Sequence, residues 1–203
     1  DISETKEDKK ILFDIITKVA EECFMPLAVG GGIRSVEDIR KLLQAGVDKV
    51  SINTYAVENP SFIREASLIF GSSTIVISID AKKNSQGRYE VYTKNGKEPT
   101  GLDPVMWAKE AERLGAGEIL ITSIDREGTL QGYDLSLVES VAKNVSIPVI
   151  ANGGAGKLED FYETITQAGV SAVAAASIFH FTDQSPIKVR TYLKYQKIEI
   201  RNE

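Results

Sequence analysis

The sequence predicts an α/β fold, a (β/α)8 barrel built from two similar halves in a single domain spanning residues 1–203. Three observations point there. Short apolar, β-rich runs alternate with helix-period segments, the pattern of βα units around a parallel sheet. The runs are apolar throughout, as expected of strands buried on both faces. The chain also writes one passage twice: PLAVGGGIRSVEDIRKLLQAGVDKVSINT over 26–54 and PVIANGGAGKLEDFYETITQAGVSAVAAAS over 148–177. Each copy reads strand, Gly-Gly loop, helix, QAGV turn, strand, small polar residue. A repeated whole βαβ unit suits a barrel of two halves, with the copies roughly opposite each other on one rim. An open doubly wound sheet is the alternative, and the twin passages favour the barrel.

In chain order, Asp1-Ile2 reads as the end of a strand whose helix is TKEDKKILFDIITKVAEECF (5–24). MPLAVGG (25–31) is a strand leading into the helix of 35–46. KVSINT (49–54) leads into the helix PSFIREASLIFG (60–71). TIVISIDA (74–81) is followed by RYEVYT (88–93), a hairpin arm, and then by the helix of 103–117. EILITSID (118–125) runs through a polar loop into DLSLVESVAKN (134–144). IPVIANG (147–153) leads into LEDFYETITQAG (158–169), and SAVAAAS (171–177) into a last helix near 186–195. Gly46, Gly115, Gly117 and Gly169 stand where helices end, as C-cap glycines do. Trp107, Met106 and the helix aromatics read as core, and His180 as a residue packed behind the last strand. A closed barrel needs eight units in about 250 residues. The first strand–helix unit and most of the second strand are therefore expected upstream of Asp1, in roughly 50 further residues. The absence of an initiator methionine and of a signal-peptide pattern agrees with a chain that begins inside a longer one.

Composition excludes several function classes. With 42% hydrophobic and 26% charged residues the chain can build one sizeable core. A net charge of -5 argues against nucleic acid as a partner, and no basic run suggests a membrane surface. No apolar stretch is long enough to span a bilayer. Cys23 and His180 are the single cysteine and histidine, so no disulfide framework and no metal site are expected, and no cofactor motif is present. A cytoplasmic location is the simplest reading.

The twin loops carry the chemistry. Glycines at strand ends (Gly31, Gly32 and Gly153, Gly154) let backbone N–H groups approach an oxyanion. Asn53-Thr54 and Ala176-Ser177 follow one strand later, just before the next helix, where phosphate binds readily. Two such sites imply a substrate with a phosphate at each end; the plainer reading is two tight strand-to-helix turns. Asp80 ends the strand TIVISID, where catalytic groups sit in this fold, and apolar flanks would raise its pKa into acid–base range. An Asp that only orients the next loop is the alternative. The run TSIDREGTLQGYD places Asp125, Glu127, Gly128 and Thr129 on the same rim. Carboxylates there suit ribose hydroxyls, and Gly128 and Thr129 suit a phosphate. Lys49 and Glu118 stand at strand starts on the opposite rim, either as solvated turn residues or as part of a charged ring across the barrel floor.

Together, GGGIRSVEDIRKLLQAGVDKVSINT, ISIDAKK, GAGEILITSIDREGT followed by GYD, NGGAGKLEDF and SIFHF resemble the family of imidazole glycerol phosphate synthase cyclase subunits, from Asp1 to about Leu193. The resemblance implies a heterodimer with a glutamine amidotransferase, whose ammonia passes through the barrel. It implies conversion of a bisphosphorylated aminoimidazole carboxamide ribonucleotide into imidazole glycerol phosphate and AICAR, in histidine biosynthesis. It makes Asp80 one of two catalytic aspartates. Gly32, Asn53 and Thr54 match one phosphate site; Gly154, Ala176 and Ser177, with Glu127 and Gly128, match the other. Glu127 replaces an aspartate common in the family. Lys49 and Glu118 match two members of the ammonia gate. The other aspartate, a loop lysine and two gate residues would fall before Asp1, so residues 1–203 alone are expected to form an unclosed, inactive barrel. Alternatives remain: a similar barrel delivering ammonia for amidination of a bacterial surface aminosugar, a sister isomerase with the same phosphate sites, or a non-catalytic scaffold for the glutaminase.

Overall fold

The computed structural model describes residues 6–22 and 24–201. The strand end read at Asp1-Ile2 and the lone Cys23 lie outside the described residues. Helix α1 (Lys6–Glu22) is followed by β1 (Ala28–Gly30), α2 (Val36–Gln44), β2 (Lys49–Ile52), the short α3 (Thr54–Glu58) and α4 (Ser61–Phe70). Then come β3 (Ile75–Lys83), β4 (Tyr89–Thr93), β5 (Glu98–Pro99), α5 (Pro104–Leu114), β6 (Glu118–Ser123) and α6 (Leu135–Ala142). The chain closes with β7 (Val149–Asn152), α7 (Leu158–Ala168), β8 (Ala172–Val173), α8 (Ser177–Phe181) and α9 (Pro186–Tyr195). No helix among the described residues is long and apolar enough to cross a membrane.

Six strands run parallel in the order β1-β2-β3-β6-β7-β8. A doubly wound sheet reverses its order at a switch point. Here each parallel strand lies beside its predecessor and a helix follows each, which is the arrangement of a (β/α)8 barrel. Among the described residues β1 and β8 are the two edges of the arc. The hairpin arm β4 pairs antiparallel with the end of β3, setting Asp80 opposite Tyr92, and β5 extends it.

The strands show one buried face and one that is half-buried. On β3, Ile75, Ile77, Ile79 and Ala81 are fully buried against the helices, and so are Ile119 and Ile121 of β6. Ser78, Asp80, Glu118, Leu120 and Thr122 point the other way and keep partial exposure. Among the described residues the inward face is less shielded than the face under the helices, although Val76 on it is buried. The core is one-sided, set between sheet and helices, where Ile39, Ile63, Ala108, Leu137, Val138 and Ile178 meet it. Burial contributes about 1.5–3 kcal/mol for each such large side chain. On the inward face Ser78, Asp80 and Thr122 gather toward the strand ends, beyond Val76 and Leu120.

Capping fixes where the helices begin. Ser35 accepts from Asp38 N at 3.1 Å, and Asp103 accepts from Val105 N and Met106 N, with Pro104 opening α5. Gly115 and Gly169 take the left-handed C-cap conformation. In the first copy Ala45 caps α2 and Gly46 follows it, and Gly117 lies outside the positive-φ set. Two residues depart from their expected places. Met106 is 65% exposed, because the apolar stripe of α5 runs through Trp107, Ala108 and Ala111 instead. His180 is exposed at the end of α8, its ring edge-on to Phe181.

Candidate active site

The twin passages are twins in backbone as well as in letters. Gly31 and Gly32 have φ of 108° and 65°; Gly153 and Gly154 have 94° and 107°. Ser35 and Lys157 start their helices at nearly the same dihedrals, φ/ψ of -147°/157° and -143°/165°. An aspartate in the first turn clamps each loop from behind. Asp38 accepts from Arg34 N at 3.0 Å; Asp160 accepts from Gly156 N at 2.8 Å and Lys157 N at 3.0 Å. One strand later, Thr54 and Ser177 each open a short helix.

The first loop opens on a cavity of about 370 Å³. Gly30, Gly31, Gly32, Asn53, Thr54 and Asp80 line it, all but Gly30 singled out from sequence. Arg34, Ser51, Tyr55, Ser78, Lys94 and Asn95 also line it and escaped the sequence reading. Lys94 and Asn95 belong to the turn after β4, where both take positive φ, and Lys94 N donates to Thr54 Oγ1 at 3.1 Å. The Asn-Gly pair at 95–96 marks the turn; its arrival above β2 depends on the β3–β4 pairing. Arg34 had a signal in the repeat itself, since the second copy has Gly156 at that place.

Asp80 sits on the inward face at the end of β3, half-buried. Asn53 Nδ2 donates to its Oδ2 at 2.9 Å, and Ser78 Oγ lies 3.5 Å from its Oδ1. Burial pushes the Asp80 carboxyl above the ordinary aspartate value. Hydrogen bonds from Asn53, Ser78 and Thr122 pull it back, while the Glu127 charge adds to the rise. The result is a carboxyl that can hold or release a proton nearer neutrality than a free one.

The second loop is shaped differently. Gly153 and Gly154 are buried, whereas Gly31 and Gly32 are exposed. Glu127, Gly128, Gly154, Ala176 and Ser177 surround a space of only about 10 Å³. Asn152 Nδ2 donates to Thr122 Oγ1 at 3.1 Å and lies 3.5 Å from Glu127 Oε2, which brings a carboxylate into this loop. Asp125 and Thr129 line neither space. Asp125 Oδ2 accepts from Lys83 N at 3.0 Å, and Thr129 Oγ1 donates to Arg126 O at 2.8 Å, so both brace the loop after β6.

At the opposite end of the strands, Lys49 Nζ donates to Glu118 Oε1, an ion pair that reaches over β3. Both side chains are partly shielded, at 31% and 19% exposure. Among the described residues no group of three or more His, Cys, Asp or Glu is placed to hold a metal ion.

With this geometry in hand, comparison with known proteins gives a consistent result. A relative from Alkaliphilus metalliredigens (strain QYMF), the imidazole glycerol phosphate synthase subunit HisF, is 47% identical over 201 residues, covering 99% of this chain and 80% of its own length. The family model described as histidine biosynthesis protein matches residues 1–185. The chain belongs to the histidine biosynthesis protein family.

Proposed function

We propose that the chain is the cyclase subunit of an imidazole glycerol phosphate synthase. In this reading it takes ammonia from a glutaminase partner and converts the bisphosphorylated aminoimidazole carboxamide ribonucleotide into imidazole glycerol phosphate and AICAR, in the cytoplasm. The observation that carries it is Asp80, a half-buried carboxyl at the rim, hydrogen-bonded by Asn53 at 2.9 Å and flanked by the two glycine loops. The relative's name supports the same reading. Gly31, Gly32, Thr54 and Arg34 hold one phosphate, with backbone N–H groups and the guanidinium facing the anion. Gly153, Gly154 and Ser177 hold the other end. Asp80 moves protons as ammonia adds and the ring closes. Lys49 and Glu118 stand at the ammonia entrance.

The natural full-length chain, given the bisphosphate and high ammonium, is expected to release AICAR. Absence of turnover under those conditions would sink the reading. One observation favours a second one, the barrel of a surface-aminosugar amidination system. The space at the second loop is about 10 Å³, room for a single water, and Glu127 faces it. A sugar hydroxyl fits such a loop more readily than a phosphate dianion. Rescue of a histidine auxotroph lacking its cyclase decides between them: growth supports the cyclase, and no growth favours the sugar pathway.

A further inference from the structure

Asn53 was grouped with the phosphate ligands by its place in the repeat, where the other copy has Ala176. Its side chain does something else. The amide does not turn toward the glycine loop but along the rim to β3, where Nδ2 donates to Asp80 Oδ2 at 2.9 Å. Its other polar atom, Oδ1, is buried and has no hydrogen-bond partner among the described residues. Asn53 also lines the cavity of about 370 Å³ that Asp80 shares.

The alternative orientation of the amide fits the surroundings less well. It would set a carbonyl oxygen against a carboxylate oxygen, two acceptors face to face. The second copy has Ala176 at this position, whose side chain has no hydrogen-bonding group.

We propose that Asn53 is a positioning residue for Asp80, its amide N–H fixing one carboxylate oxygen. This rests on the reading of Asp80 as the acid–base group. The arrangement divides the labour between the oxygens of Asp80. Oδ2 is held by the bond from Asn53 at 2.9 Å, and Oδ1, with the longer contact from Ser78 Oγ at 3.5 Å, is the one left to exchange a proton with the substrate.

Among the described residues, the charged and titratable groups facing Asp80 are Glu127 from the loop after β6, Arg34 and Lys94 across the cavity, and Tyr92 opposite it on β4. None of these replaces the Asn53 N–H. Losing that bond removes a force that lowers the Asp80 pKa, so the Asp80 titration moves to higher pH. Asn53→Asp keeps an acceptor, loses the donor and adds a second carboxyl, so it moves the titration further than Asn53→Ala.

The test has two arms. Carboxyl-carbon NMR titration of full-length wild-type, Asn53→Ala and Asn53→Asp proteins, without substrate, is expected to give an Asp80 pKa rising in that order. The same variants, assayed with ammonium and the bisphosphate, are expected to lose about ten- to a hundredfold in kcat with a smaller rise in KM. The pH–rate limb set by Asp80 is expected to move upward with the titration. Circular dichroism establishes that each variant is folded. An unchanged Asp80 titration in folded Asn53→Ala overturns the proposal. So does a loss confined to KM with an unmoved limb, which would make Asn53 a phosphate ligand only. If wild type turns over no bisphosphate, the functional reading fails while the titration arm still decides whether Asn53 governs Asp80.

Discussion

A single carboxyl shows how burial sets both chemistry and stability. The Asp80 carboxyl titrates above its ordinary value, chiefly because the sheet and the hairpin take it out of water. The folded chain therefore holds that proton more tightly than the unfolded chain does. Between the ordinary aspartate value and the raised one, rising pH ionises the unfolded state first, so stability falls across that window and the loss is complete above it. Asp80→Asn cannot ionise and can still accept a hydrogen bond from Asn53. Its stability relative to wild type is expected to grow as pH rises from the ordinary aspartate value through the raised one, read from urea midpoints. Its turnover is expected to fall by about a hundredfold or more. A constant stability difference across that range would mean that Asp80 carries no raised pKa. A variant as active as wild type would remove it from the chemistry.

The two glycine loops show how far element-level likeness extends. Both copies were legible because Gly-Gly, the acidic first turn and the QAGV turn recur in register, and the dihedrals repeat with them. What packs on each loop was not legible, because it comes from chain far away. A Cβ on Gly32 would meet nothing within 4 Å, whereas one on Gly154 would lie 2.3 Å from Gly132 O and 3.0 Å from Arg126 Cβ. Both positions have positive φ, so alanine is strained in each. Gly32→Ala is expected to cost about 1 kcal/mol and mainly to weaken anion binding. Gly154→Ala adds a collision with backbone and is expected to cost about 3 kcal/mol or more. Chemical denaturation of the two variants checks this, and equal losses would contradict the difference in packing.

At the scale of the molecule, alternating strands and helices made the strand order readable, but the division between the faces of the sheet was not. Ile77 and Asp80 sit in one apolar run, and only the helices covering one side decide that isoleucines face them and Asp80 faces the lumen. Likewise, Lys49 and Glu118 are charged strand starts 69 residues apart, and their pairing exists only because β3 lies between β2 and β6. That pairing places an ion pair at one end of the lumen and Asp80 at the other. A half-shielded pair contributes about 1 kcal/mol or less to stability, so its removal is expected to leave the fold intact. Its larger effect is on traffic. Lys49→Ala leaves the Glu118 carboxylate, 19% exposed, without its partner at the strand starts, the end proposed as the ammonia entrance. In the proposed complex, glutamine-driven turnover of this variant is expected to fall severalfold. Turnover driven by added ammonium, which reaches Asp80 from the open rim, is expected to stay within about twofold of wild type. Parallel steady-state assays with the two nitrogen sources measure the ratio. If both activities fall together, the pair supports the sheet rather than the passage, and if neither changes, ammonia enters elsewhere.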